Sequence, residues 1–151
     1  MQRKFALEIS NTFMAVSSDL GDSLNVHPTQ KRPVGERLAL LALKNTYHKN
    51  ILADGPTIKS AFQKSKEIIV DFNNAKKLQT GDDKKLIGFE VMNEKGKIIL
   101  PKAEIKNNKV ILYLAKDEKI IKVLYAYQSF TRANLVNEAG LPASTFSYDL
   151  K

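Results

Sequence analysis

The chain has 151 residues, which is enough for one ordinary domain or for two small ones. An apolar content of 43% and a charged content of 26% are typical of a globular protein and exclude a disordered chain. No segment approaches the ~18 to 20 continuous apolar residues of a membrane helix, so we expect no membrane partner. The absence of cysteine excludes disulfide bonds and thiolate metal sites.

The net charge of +8, from 24 lysines and arginines against 16 acidic residues, gives weak affinity for any polyanion. These basic residues are spread along the chain without the aromatic-interleaved stripe of a nucleic-acid-binding surface. We therefore expect a solvated, lysine-rich surface and no nucleic-acid partner. The two histidines, His27 and His48, cannot build a zinc site without several carboxylates, and their spacing fits no zinc motif. We expect no metal and no other cofactor.

The first 50 residues have the pattern of an α/β layer. Residues 1–9 resemble the end of a helix, and residues 13–16 form an apolar run that is typical of a buried, parallel strand. Pro33 suits the first turn of a helix over residues 34–47, and the wide apolar stripe of this segment predicts a largely buried helix. One strand between two helices cannot make a sheet alone. This segment therefore needs partners outside the chain, or must pack on the domain that follows.

A loop rich in Asp, Gly, Asn and Pro joins the predicted strand to the helix, and this loop carries His27. Enzymes place a general base on such loops because the flanking elements fix the loop while the side chain stays free. The position therefore predicts a catalytic base. The alternative is a loop histidine that makes a structural hydrogen bond.

The rest of the chain has the pattern of short strands separated by turns. We predict strands over residues 66–72, 86–92, 97–100, 110–115 and 120–127, with turns that include 93–96 and the Asn107-Asn108 pair. Strands at this spacing indicate an antiparallel, jelly-roll-like β-sandwich, and residues 134–149 are expected to be an ordered coil. The predicted fold class is thus α+β, with an α/β remnant (helix, strand, helix) over 1–50 and a β-sandwich domain over 53–151.

Three tyrosines alternate on the last of these strands and on a neighbour, at Tyr113, Tyr125 and Tyr127. We expect them to be structural residues of the sandwich. The alternative is a platform on which a sugar ring stacks, because exposed aromatic side chains serve that purpose.

Two blocks of sequence carry a resemblance to a known family. The first is His27-Pro28 with Lys31 and Val34-Gly35-Glu36-Arg37-Leu38-Ala39. The second is Asn134-Leu135-Val136-Asn137-Glu138-Ala139-Gly140-Leu141-Pro142-Ala143. Shorter matches occur at Met14-Ala15-Val16, Asp19-Leu20-Gly21-Asp22, Gly55-Pro56, Ser60 and Gly88-Phe89-Glu90. The whole chain resembles the C-terminal part of the sialate O-acetylesterase family of carbohydrate esterases, within the SGNH hydrolase group.

The resemblance implies a reaction in which a serine early in the catalytic domain attacks an acetyl carbonyl and a late histidine removes its proton. Only the histidine carries over to this sequence, at His27. The wider group usually has an aspartate three residues before this histidine to orient the imidazole, and here that position is Leu24. Asp22 is our candidate for the orienting residue, with Asp19 or a backbone carbonyl as alternatives.

Ser23 lies in the run Gly21-Asp22-Ser23-Leu24, which spells the nucleophile motif of the same hydrolase group. Such a serine needs an oxyanion hole built by other loops of a complete α/β sheet. It also needs a histidine delivered from a distant strand end, whereas His27 lies four residues further on. We therefore predict that Ser23 belongs to the loop leading to the histidine, and that Ser17 and Ser18 are no better candidates.

These observations predict a fragment of an enzyme that hydrolyses acetyl esters on sialic acid or related sugars. It would carry the catalytic histidine and lack the nucleophilic serine, so we expect it to be inactive alone. Its expected partners are the acetylated sugar and a missing N-terminal catalytic segment, while an exposed apolar face before residue 50 would favour a homo-oligomer. Family members are commonly exported, so the resemblance implies a periplasmic or secreted location. The alternatives are a non-catalytic β-sandwich that binds carbohydrate or serves in assembly, and the product of a broken gene.

Overall fold

The computed structural model describes residues 2–25, 27 and 29–150. Within these residues two helices precede a set of ten strands. The helices are α1 (Gln2–Glu8) and α2 (Arg32–Asn45), with a 3-10 helix (Ser18–Leu20) between them. The strands are β1 (Thr57–Lys64), β2 (Glu67–Asn73), β3 (Leu78–Thr80), β4 (Phe89–Asn93), β5 (Ile98–Ile99), β6 (Lys102–Lys106), β7 (Lys109–Tyr113), β8 (Ile120–Tyr125), β9 (Leu135–Asn137) and β10 (Phe146–Asp149).

The strands form two four-stranded antiparallel sheets, in the orders β1-β2-β7-β6 and β10-β8-β4-β5, and a two-stranded sheet of β3 and β9. In β2 the side chains of Ile68, Val70 and Phe72 are buried, as the alternating pattern predicts for a strand with one face on the core. The turn before β7 has positive φ angles at Asn107 and Asn108, which confirms the turn predicted there. The predicted α+β fold with a β-sandwich is therefore confirmed.

The hydrophobic core lies within the sandwich. Among the residues that the structure describes, every fully buried member of the core cluster falls between positions 68 and 146. Four aromatic rings pack at its centre with centroids 4.7 to 6.3 Å apart, from Phe72, Phe89, Tyr125 and Phe146. Each such pair stabilises a fold by about 0.5–1.5 kcal/mol beyond the burial of its surface. The sandwich thus builds its core without side chains from the first 50 residues.

Residues 13–16 do not form the predicted strand. They run in irregular conformation, and none of the strands in the described part of the chain pairs with them. Phe13 is 50% exposed, whereas a buried parallel strand would have both faces covered. A strand needs a hydrogen-bonded neighbour, and no described strand supplies one to these residues.

Helix α2 begins at Arg32 with Pro33 in its first turn, which confirms the predicted start. The prediction that this helix is largely buried is wrong. Leu41 is its buried residue, while the side chains of Leu38 and Leu43 are 54% and 40% exposed. The apolar stripe is present, but no described element covers most of it.

Residues 134–149 are not the coil that we predicted, because they contribute strands β9 and β10. Strand β10 pairs with β8, so it completes one edge of a large sheet. A tight turn follows β9: Gly140 has a φ of 70° and its N–H donates to the carbonyl of Asn137 over 2.9 Å. No helix in the described residues is both long enough and apolar enough to cross a membrane.

Candidate functional site

The loop that carries His27 is anchored at its start by an arginine from helix α2. Arg37 donates two hydrogen bonds to the carboxylate of Asp19, at 2.7 and 2.6 Å, and a third to the carbonyl of Val16, at 2.6 Å. The side chain of Arg37 is 12% exposed and that of Asp19 is 28% exposed. A bidentate pair of this kind fixes both position and orientation. It therefore holds α2 against the 3-10 helix from which the loop departs.

Two asparagine- or aspartate-centred turns shape the middle of the loop. The side chain of Asp22 accepts a hydrogen bond from the Leu24 N–H at 2.7 Å, and that of Asn25 accepts one from the His27 N–H at 2.9 Å. Such turns replace backbone hydrogen bonds in segments without regular structure. They leave the side chain of His27 exposed. Val26 and Pro28 lie outside the described residues, so only the histidine of the predicted His-Pro pair is placed.

The candidate catalytic groups of the loop are close in sequence but are not joined to one another. Within the described residues, no hydrogen bond connects the imidazole of His27 with the carboxylate of Asp22 or with the hydroxyl of Ser23. The carboxylate of Asp19, an alternative orienting group, is bonded to Arg37. The roles of His27 as base and of Asp22 as orienting residue stay predictions.

The phenol of Tyr125, at the end of β8, is buried and hydrogen-bonded. Its hydroxyl accepts a hydrogen bond from the Leu135 N–H at 2.8 Å. Burial raises the pKa of Tyr125, and the nearby carboxylate of Asp19 raises that pKa further, against the opposing effect of the Leu135 N–H.

A cavity of about 510 Å³ lies between the first 50 residues and the sandwich. It is lined by Met14 and Arg37 on one side and by Gly55, Pro142 and Ser144 on the other. The hydroxyl of Ser144 is buried and has no hydrogen-bond partner among the described residues. We find no paired nucleophile and base in its described lining.

The sequence placed the loop and named Arg37 only as part of the block that follows His27. The structure shows that Arg37 has an acidic partner, Asp19. The available signal was an arginine next to the apolar stripe of α2, where an unpaired charge would be costly. In the described part of the chain, no group of three or more metal-ligating side chains is close enough to hold a metal ion.

A comparison with protein-family models finds no match, and no curated protein matches the sequence. Among solved structures, the chain is similar to a carbohydrate acetylesterase from Xanthomonas citri, with a TM-score of 0.81 and 28% sequence identity. The similarity covers 87% of this chain and 31% of that one, so this chain spans less than a third of the enzyme's length. This similarity confirms the predicted relationship to carbohydrate esterases.

Proposed function

We propose that the chain is the C-terminal part of a carbohydrate O-acetylesterase that acts on sialic acid or a related sugar. In this proposal residues 1–50 are the end of an SGNH-type catalytic domain, residues 53–151 are an accessory β-sandwich, and His27 is the catalytic base. The observation that carries the proposal is the similarity of nearly the whole chain to part of a carbohydrate acetylesterase.

The exposed apolar side chains of the first 50 residues support a missing catalytic segment. Phe5, Ile9, Phe13 and Leu38 are each 50 to 54% exposed, although their spacing is that of elements packed inside an α/β layer. A protein of this size rarely exposes so many large apolar groups on neighbouring elements without a partner. We propose that the N-terminal catalytic segment of the enzyme covers them. Self-association of the isolated chain would cover the same surface.

In the proposed reaction, the serine of the catalytic segment attacks the acetyl carbonyl and His27 takes the hydroxyl proton. The resulting tetrahedral intermediate expels the sugar oxygen, which receives that proton from His27. Water then attacks the acetyl-enzyme while His27 takes a proton from it. The bond between the acetyl carbon and the serine oxygen breaks, His27 returns the proton to the serine, and acetate is released. The anchored loop suits this role, because the Arg37–Asp19 pair fixes its start while the imidazole stays exposed.

The isolated chain is expected to release acetate at close to the uncatalysed rate, since the serine and the oxyanion hole lie on the other segment. Reading the DNA upstream of Met1 in frame for a serine motif is the first test. The chain is then expressed together with the upstream segment, as one joined protein. This joined protein is assayed for acetate release from 9-O-acetylated sialic acid and from an acetylated neutral sugar, which identifies the preferred substrate.

Replacing the proposed catalytic base, His27, tests its role directly. In the joined protein, His27→Ala is expected to lower kcat by at least ~10³-fold. His48→Ala is the matched control, because His48 is also exposed and lies beyond the end of α2. The proposal is wrong if the isolated chain hydrolyses acetyl esters at enzyme-like rates and His27→Ala abolishes that activity. In that case Ser23→Ala would show whether the nucleophile is in the loop itself.

A further inference from the structure

A second concave site lies at one end of the sandwich, on the residues that begin β4 and follow β8. This groove has a volume of about 320 Å³. The residues that give it its character are Glu90, Leu100, Tyr127, Gln128, Phe130 and Arg132. It combines aromatic and aliphatic surface with a few planar polar groups, which is the usual composition of a small-molecule site.

Tyr127 presents its ring to solvent in this groove. The side chain is 59% exposed, whereas Tyr125, two residues earlier, is 1% exposed at the centre of the core. Tyr127 therefore does not share the core position of Tyr125, and the alternative of a sugar-stacking ring stays open for it. Leu100 and Ile87 continue the exposed apolar surface, at 75% and 46%.

The backbone explains why the ring turns outward. Ala126 has a φ of 51°, a left-handed conformation that costs a residue with a Cβ roughly 1–2 kcal/mol. Its N–H donates to the carbonyl of Gly88, at 2.9 Å, and Gly88 also has a positive φ of 100°. The two strands thus leave the sheet together, and the chain redirects Tyr127 out of the core. Strained backbone of this kind is concentrated at binding sites.

The floor of the groove is tightly packed. A Cβ atom at Gly88 would lie 2.4 Å from the Cβ of Ala133, so the loop that carries Tyr127 rests directly on the start of β4. The adjacent pair Phe89 and Tyr125 packs with tilted rings whose centroids lie 4.7 Å apart. A site on such a tightly packed floor loses little conformational entropy when a ligand binds.

The polar groups of the groove are held in place and balance in charge. Gln128 donates from its amide to a carboxylate oxygen of Glu90 at 2.6 Å, and the guanidinium of Arg132 lies 5.3 Å from the ring centre of Phe130. One carboxylate and one guanidinium leave no net charge to attract an ion. Carboxylate, amide and guanidinium groups all bond readily to hydroxyl groups.

We infer that this groove binds a neutral oligosaccharide. The C–H face of a pyranose ring stacks on the electron-rich face of Tyr127, and Glu90 and Gln128 bond to its hydroxyl groups. Tyr127 also lines a neighbouring cavity with Ser17 and Ser18, where the His27 loop begins. A bound sugar chain would therefore pass beside that loop. This inference goes beyond the proposed esterase, because it needs neither an acetyl group nor a catalytic segment.

The test is an NMR titration of the purified chain with cellotetraose and with xylotetraose, neither of which carries an ester or a charge. We expect saturable shifts of the groove residues with at least one of them. Tyr127→Ala is expected to weaken binding by about tenfold, and Tyr127→Phe, which keeps the ring, to hold the affinity within about threefold. Tyr47→Ala is the matched control, because Tyr47 is similarly exposed, at 67%, but lies outside the groove.

The inference is overturned if neither sugar saturates the chain below about 10 mM, or if Tyr127→Ala binds as tightly as the unaltered chain. It is also overturned if Tyr47→Ala weakens binding as much as Tyr127→Ala. Because Tyr127→Phe retains the ring, it separates loss of stacking from loss of folding. Failure of this test leaves the esterase proposal unaffected, since no acetyl transfer is measured.

Discussion

Gly55 lies so close to Pro142 that a Cβ atom at position 55 would stand 1.9 Å from the Pro142 carbonyl oxygen. Gly55 belongs to the linker between α2 and β1, and Pro142 belongs to the segment after β9. The Ser144 N–H donates to the carbonyl of the next linker residue, Pro56, at 3.2 Å. Backbone contact between these two segments therefore fixes where the first 50 residues join the sandwich.

A methyl group at this contact is expected to destabilise the fold. Gly55→Ala must push two backbone segments apart, and overpacking of this kind lowers the free energy of unfolding by about 1–3 kcal/mol. Gly35→Ala is the matched control, since Gly35 lies in α2 and an added Cβ would meet nothing within 4 Å beyond its chain neighbours and the backbone of its own helix. It is expected to stabilise the helix by about 0.5–1 kcal/mol. Urea denaturation followed by circular dichroism measures both, and equal midpoints would contradict the prediction.

Removing Arg37 is expected to loosen the His27 loop without unfolding the sandwich. Arg37→Ala removes three hydrogen bonds, two of them to a carboxylate, which should cost about 1–3 kcal/mol locally because the side chain is mostly buried. The core of the sandwich contains no residue from this region. Proteolysis should therefore cleave the loop over residues 17–31 faster, while the main unfolding transition stays unchanged.

The control for that variant is Arg32→Ala. Arg32 also pairs with a carboxylate, that of Glu36 at 2.7 Å, but its side chain is 90% exposed. Solvent-exposed pairs of this kind contribute little, so cleavage of the loop should not change. Both variants remove one positive charge from α2. If protease cleaved the loop equally fast in both, the hydrogen bonds of Arg37 to Asp19 and Val16 would not be what holds the loop.

Acid is expected to remove a contribution of Glu104 to stability. Hydrogen bonds from Lys102 and Lys106 lower the pKa of Glu104 to about 2 in the folded chain. A carboxyl group with a lowered folded pKa stabilises the fold above its unfolded pKa of about 4.3, and this contribution is lost as the pH falls toward 2. Carbon NMR of the carboxyl group measures the pKa, and Glu104→Gln should reduce the pH dependence of unfolding in that range.

Salt provides the control for the Glu104 prediction. The two lysines are largely exposed, so salt at about 1 M should screen the ion pairs and raise the pKa of Glu104 toward its usual value. A measured pKa near 4 at low salt would show that the lysines do not hold the carboxylate in solution.

The sequence predicts the sandwich where local pattern and burial agree. Alternation in β2 and the Asn107-Asn108 turn are local properties, so both could be read in advance. Strand β9 could not, because all three of its residues are buried and it contains no alternation. It is a strand only because β3, far away in sequence, pairs with it.

The candidate sites were also predictable only where they depend on local sequence. The composition of the loop and the position of His27 are sequence properties, and the structure places that histidine on an exposed loop. The outward turn of Tyr127 depends on the conformation of Ala126, a residue that gives no sign of a left-handed backbone. The exposed stripe on α2 was misread because an apolar pattern indicates a need for a partner, not that the partner is present.

Asn137 connects three parts of the chain from a fully buried position. Its amide donates to the carbonyls of Asp54 and Asn74, at 3.0 and 2.9 Å, and its oxygen accepts from the N–H groups of Ala139 and Leu141, both at 3.1 Å. The side chain is 0% exposed, so all four of its hydrogen-bonding positions are used without water. It joins the linker, the end of β2 and the turn after β9.

Asn137→Asp keeps the shape of this side chain and places an oxygen where the amide faces two carbonyl oxygens. We expect a loss of at least about 3 kcal/mol in the free energy of unfolding, because a buried charge or an unsatisfied acceptor replaces two hydrogen bonds. Ser144→Ala is the matched control: Ser144 is buried nearby in the chain, but its hydroxyl has no partner in the described residues. Its removal should change stability by no more than about 0.5 kcal/mol. Urea denaturation of both variants measures this difference, and comparable losses would mean that burial of a polar group, rather than its hydrogen bonds, determines stability here.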